Sequence, residues 1–155
     1  MNAALADAAV IVRRTIAAPP EDLFDAWLDP QALAIWMRPN AIQTTTAKVD
    51  ARVGGRYEIV MNSATECYPH TGEYRVIDRP RRLVFTWHSR GTEQKETLVT
   101  VDFLVRGERT EVVVTHERLP ESARPSHGNG WTSGLAHLDE ACLHRLLKSS
   151  NSTNR

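Results

Sequence analysis

One apolar stripe constrains this chain more than any other feature. Trp131, Leu135, Leu138, Cys142 and Leu146 fall close to i, i+4, i+7, i+11 and i+15. Side chains at that spacing share one face of a helix, and the face must lie against something apolar. The spacing predicts a helix over about residues 128–148. The segments before it have a different period. Thr97, Val99, Val101 and Phe103 alternate with Leu98, Thr100 and Asp102, and Val112, Val114 and His116 alternate with Val113 and Thr115. A period of two marks strands with one buried face. The same reading places strands at residues 10–16, 42–49, 57–62, 70–77, 83–88, 97–106 and 110–117. Val53-Gly54-Gly55, Asp78-Arg79-Pro80 and Gly107-Glu108 are short turns, so neighbouring strands are antiparallel.

Two short helices interrupt the strands. Pro19-Pro20-Glu21-Asp22 opens the first, because proline's missing N–H has no partner in a first turn and acidic side chains favour the helix N-terminus. Leu23, Phe24, Trp27 and Leu28 give its apolar face, and Asp29-Pro30 ends it. Residues 31–36 form a second short turn of helix, stopped by Pro39. An antiparallel sheet with one long helix must bury its apolar face under that helix. The expected fold class is therefore α+β, with a curved antiparallel sheet of six to seven strands around a long C-terminal helix. One helix does not fill a strongly curved sheet, so a cavity is expected between the two.

The 155 residues are 41% apolar, enough for a core of one domain at residues 9–148, with flexible tails at 1–8 and 149–155. Nineteen basic and nineteen acidic residues cancel. This balance argues against nucleic acid and anionic membrane as partners. No stretch approaches the ~18 apolar residues of a membrane span. The first residues lack a basic and apolar leader pattern, so a cytoplasmic location is expected. The formal acceptor Asn151-Ser152-Thr153 has no secretion signal to support it. Cys67 and Cys142 are read as free buried thiols, with a disulfide left open as the alternative.

The ordered motifs resemble one family. Phe24-Asp25-Ala26-Trp27-Leu28-Asp29-Pro30 with Leu33 and Trp36, Gly54-Gly55-Arg56-Tyr57, and Tyr68-Pro69-His70-Thr71-Gly72-Glu73-Tyr74 are similar to successive segments of the heat-shock-protein ATPase activator homologue-like branch of the START-like (SRPBCC) superfamily. Pro80-Arg81-Arg82-Leu83-Val84-Phe85-Thr86-Trp87, Thr97 to Phe103, Thr115-His116-Glu117 and Gly130-Trp131-Thr132-Ser133-Gly134-Leu135 continue the likeness, which spans about residues 11–146. Met37 stands where the family often has a second tryptophan, and Val53 where it often has proline. The resemblance implies the helix-grip fold. It also implies ligands of lipid-like, aromatic or polyketide-like character for the wider superfamily.

Few residues suggest chemistry. His70, His116 and Glu58 are the candidates for acid/base work, should they face one cavity. Each also has a plainer role. For His70 it is fixing a turn, for His116 a core position satisfied by a backbone group, and for Glu58 a solvated strand face. Glu73, Arg56 and Arg75 share that last reading. Trp36, Met61, His70, Tyr74, Trp87, His116, Trp131 and Leu135 are the expected cavity lining. Trp36 and Trp131 are candidates for its entrance, beside their reading as core with Trp27 and Trp87. His137 and His144 are seven residues apart, about 10 Å along a helix axis, too far to share a metal. No metal or cofactor is expected, and no nucleophile elbow or phosphate loop occurs. The leading expectation is a small-molecule binding protein, as monomer or homodimer. A co-chaperone-like or stress-related regulator and a cyclase- or hydrolase-type enzyme stand as alternatives.

Overall fold

The computed structural model describes residues 9–144. Strand β1 (Val10–Ile16) is followed by helices α1 (Pro20–Ala26) and α2 (Pro30–Trp36). Then come β2 (Thr44–Val49), β3 (Arg56–Asn62), β4 (Cys67–Asp78), β5 (Arg82–Ser89), β6 (Thr97–Arg106) and β7 (Arg109–Glu117), and last the helix α3 (Arg124–Leu143). The seven strands form one antiparallel sheet in the order β1-β7-β6-β5-β4-β3-β2. The first strand thus pairs with the last, Val10 opposite His116 and Ile16 opposite Thr110.

Strand alternation sets the core face. Tyr57, Ile59 and Met61 on β3, Leu83, Phe85 and Trp87 on β5, and Val99, Val101 and Phe103 on β6 are all buried. Val112, Val114 and His116 join them from β7. The stripe of α3 lies on this face, where Trp131, Leu135, Leu138 and Ala141 are buried. Leu146 and the expected helix end at Lys148 lie outside the described residues. An ion pair holds α3 to the edge strand, with Arg14 Nε donating to Asp139 at 2.8 Å. Arg79 makes a two-pronged pair with Asp25, at 2.8 and 2.9 Å, which joins the β4–β5 turn to α1.

Some boundaries differ from expectation for physical reasons. Helix α3 starts at Arg124 rather than near 128, because Pro125 occupies its first turn instead of preceding it. Strand β4 begins at Cys67, so His70 lies inside the strand opposite Ile59 and Ser89. Strand β2 begins at Thr44; Ile42 belongs to the loop after α2. Helix α1 ends at Ala26, and Asp29 caps α2, its carboxylate accepting from the Gln31 N–H at 3.0 Å. Trp27 is the C-cap of α1 rather than part of its face, yet it is buried against Trp36 at 4.7 Å between ring centroids. Both cysteines are free, but Cys67 is exposed and Cys142 only half-buried, so neither is a core thiol. Cys67 opens β4 with its side chain on the solvent side.

Gly72 sits where β4 passes closest to its neighbours. A Cβ there would fall 1.9 Å from the Thr86 carbonyl oxygen and 2.5 Å from the Tyr57 hydroxyl. The tyrosine hydroxyl itself donates to that carbonyl. At Gly134 on α3 a Cβ would meet only Trp36 Cζ3, at an ordinary 3.8 Å. The expected outcome is that Gly72→Ala costs about 2–3 kcal/mol, lowering the melting temperature by about 5–10 °C. Gly134→Ala should melt no lower than the parent, since alanine is the better helix former. Thermal melts followed by circular dichroism check the pair.

Candidate functional site

A cleft of about 390 Å³ opens between the start of α3, the loop after α2 and the ends of β3, β4 and β5. Its walls are mainly apolar: Met37, Ile42, Met61, Tyr68, Trp87 and Trp131. Polar groups are few, and most are already engaged. Ser89 Oγ accepts from the Gly91 N–H at 3.0 Å, and Ser126 Oγ donates to the Ala123 carbonyl at 3.2 Å. Arg90 is the one charged residue of the lining among the described residues. Its guanidinium lies 4.7 Å from the Tyr68 ring centroid and donates to the Cys67 carbonyl at 3.2 Å. Glu66 approaches it at 3.5 Å.

The eight residues expected to line a cavity separate into two groups. Met61, His70, Trp87 and Trp131 face the cleft together. Trp36, Tyr74, His116 and Leu135 do not. Trp36 is fully buried, and its indole N–H donates to the Ala26 carbonyl at 2.9 Å, so it closes the core rather than an entrance. Leu135 is fully buried one turn further along α3. Tyr74 borders a separate void of only about 10 Å³ with Trp27, Phe85 and Trp87.

His116 lies directly behind the cleft wall, and its hydrogen bonds fix its chemistry. The Trp131 indole can only donate, so His116 Nδ1, 3.0 Å away, accepts. Nε2 therefore carries the proton of the neutral ring and donates to Thr97 Oγ1 at 2.7 Å. Thr97 in turn donates to the Trp87 carbonyl at 2.6 Å. The chain runs from α3 through β7 and β6 to β5; it holds the indole of Trp131 and ends on the backbone of Trp87, whose own indole N–H has no partner. A second proton on His116 would break its first link. Burial pushes the pKa of His116 down to about 3, with His127 adding in the same direction. His116 thus works as a neutral bridge, satisfied by side chains rather than by backbone as expected.

His70 also lines the cleft, with its ring 4.8 Å from that of Trp87 and its Nδ1 buried without a partner. Burial lowers its pKa to about 4. Glu58 does not join the histidines. It neighbours Ile59, the register partner of His70, so alternation sends it to the opposite face. There it is exposed between Lys48 and Thr71. Glu73 and Arg75 pair on that outer side at 3.5 Å. His137 is half-buried along α3 and His144 exposed beyond its end. Among the described residues, no three His, Cys, Asp or Glu side chains cluster as metal ligands.

The cleft also contains a residue absent from the sequence expectations. His127 stands four residues before Trp131, on the same helix face. Its Nδ1 lies 2.8 Å from the Ala123 carbonyl, and its ring packs edge-on to His116 at 5.2 Å. The i, i+4 spacing from Trp131 was a usable signal for it.

A curved antiparallel sheet closed over one long C-terminal helix, with a cleft at the helix start, defines a helix-grip domain of START-like type. The chain belongs to the activator of Hsp90 ATPase homolog 1-like family, whose sequence pattern matches residues 17–142. Solved structures agree. A protein of Chromobacterium violaceum is similar at 25% identity and a TM-score of 0.74, over 85% of this chain and 95% of that one. An HSP90 activator from Plasmodium falciparum is similar at 28% identity and a TM-score of 0.69, over 88% of this chain and 96% of that one. A Rhodobacter sphaeroides protein at 24% identity, with a TM-score of 0.76 over 88% and 93% of the two chains, shares the fold. No curated protein is significantly similar in sequence.

The two buried histidines set an acid limit on stability. Each binds a proton more readily in the unfolded chain, where the pKa is near 6.5, than in the folded protein. Their contribution is present above pH 6.5 and is lost as the pH falls toward about 4 for His70 and about 3 for His116. Between pH 7 and pH 5 each should remove about 2 kcal/mol. Urea unfolding at the two pH values checks this. His116→Gln should lower stability at pH 7 and flatten the pH slope by about half.

Proposed function

We propose that this protein binds a small hydrophobic molecule in the cleft between α3 and the ends of β3, β4 and β5. The observation that carries this reading is the cleft itself: about 390 Å³, walled by two tryptophans, a tyrosine and two methionines, with few polar groups. Ligand sites combine a preformed apolar wall with a small number of placed polar groups. The walls are also held in position before any ligand arrives. The Trp131 indole is fastened to His116, which is held by Thr97 and through it by the Trp87 backbone, so binding need not order the Trp131 ring.

A second reading rests on a different observation. The chain belongs to a family described as activator of Hsp90 ATPase homolog 1-like, and over 88% of its length it is similar, at 28% identity, to an HSP90 activator. A chaperone-binding role would use an outer surface rather than the cleft, and the two functions are compatible.

Gly130 offers a clean test. It lines the cleft from within α3, and a Cβ there would meet only Pro39 Cβ, at 3.9 Å. Leucine at this position fills the cleft without entering the core, and it favours the helix by up to about 1 kcal/mol over glycine. In a thermal-shift screen of small hydrophobic compounds, a hit present at ~100 times its Kd should stabilise the parent by about 2.7 kcal/mol. The expected result is that Gly130→Leu melts no lower than the parent and loses the ligand-induced shifts. Equal shifts in both proteins would place binding elsewhere.

A further inference from the structure

The cleft's polar groups specify more than a hydrophobic ligand. The Ala123 carbonyl can only accept a hydrogen bond, so His127 Nδ1, 2.8 Å away, carries the ring proton. In a neutral imidazole the other nitrogen then presents a bare lone pair. Nε2 of His127 makes no hydrogen bond among the described residues. It lies near Gly91, 3.8 Å from where a Cβ on that residue would stand, and both residues line the cleft. The ring cannot readily turn over to hide this nitrogen, since flipping would forfeit the bond to Ala123 and disturb the packing against His116.

Neutral donors line the cleft, among them the Asn40 amide and the buried Trp87 indole N–H, which has no partner, but no free cation stands there among the described residues. Among the described residues Arg90 is the sole charged member of the lining, and its guanidinium is shared among the Tyr68 ring, the Cys67 carbonyl and Glu66. Ser126 has spent its proton on Ala123. Burial lowers the pKa of both His70 and His127, which keeps both rings uncharged near neutral pH. A carboxylate would therefore give up its hydration to face an imidazole lone pair, without a free cation in return. A hydroxyl or N–H would meet an acceptor already in place.

We propose that the cleft selects an uncharged ring compound that donates a hydrogen bond, through a hydroxyl or N–H group, to Nε2 of His127. The tryptophans and Tyr68 supply flat walls for the ring. The inference rests on the binding reading above and deepens it. Within hydrophobic ligands it favours phenol-like molecules over fatty acids and other carboxylates.

Three probes with one ring system separate the possibilities. They are 2-naphthol, its methyl ether 2-methoxynaphthalene, and 2-naphthoate, titrated into the full chain at pH 7.5 with tryptophan fluorescence as the readout. A phenolic hydroxyl, with a pKa of about 10, stays protonated there. The naphthol should bind about 3- to 10-fold more tightly than the ether, the range expected for one neutral hydrogen bond. The naphthoate should bind at least ~10-fold more weakly than the naphthol, as an ionised group desolvated without a partner. In His127→Leu the naphthol and the ether should become equal, while His127→Gln, which keeps an acceptor, should restore part of the difference. Naphthol and ether binding within twofold in the parent protein would overturn the inference and leave the binding reading standing. Tightest binding by the naphthoate would also overturn it and would assign selection to Arg90. If none of the three binds, both this inference and the reading of the cleft as a site for ring compounds fail. The parent comparison stands even should His127→Leu fold poorly.

Discussion

The buried chain Trp131–His116–Thr97–Trp87 joins four elements, three neighbouring strands and the last helix. Helix α3 donates into it, β7 supplies its centre, β6 relays it and β5 ends it. All three side-chain links are buried, so each would be costly to leave unmade. The arrangement fixes the depth at which the helix sits on the sheet. That depth leaves a cleft at the helix start while the rest of the helix face packs shut on Leu135, Leu138 and Ala141. The neutrality of His116, the placing of Trp131 and the cleft floor at Trp87 are thus one structural fact seen from three sides.

The cleft and the core are built from the same aromatic cluster. Trp27 stacks on Trp131 at 5.8 Å, and Trp131 meets Trp87 at 5.2 Å. Trp36 and Phe85 extend the group inward. A residue's place in this cluster decides its role. Trp131 and Trp87 each show one side to the cleft, whereas Trp36 shows none.

Period-two alternation, the α3 stripe and the proline and turn signals together carried enough information to locate the seven strands and three helices of the described residues, because burial on one face leaves a regular pattern. The cleft was less legible. Alternation correctly placed His116 with Val112 and Val114, but it did not show that Trp131 would reach its Nδ1 from 15 residues away. Glu58 was left open because alternation gives phase without saying which face is inner; its pairing with buried neighbours on β3 decides it. His127 escaped notice for a local reason. The apolar stripe starts at Trp131, so its spacing opens the helix near 128 and leaves His127 outside it. Trp36 had the composition of an entrance residue, and only the bond from its indole to Ala26 marks it as closed core.

The pairing of β1 with β7 has a consequence in time. Val10 and His116 are neighbours across the sheet but lie more than 100 residues apart in the chain. During synthesis the first strand emerges long before its partner exists, and α3 follows later still. Contacts of this span are slow to form, because chain closure must come before they repay its entropy. The hairpins from β2 to β7 can assemble in chain order, each beside the one just made. The edge strand and the helix must wait for the end, and so the cleft is the last part of the molecule to take shape.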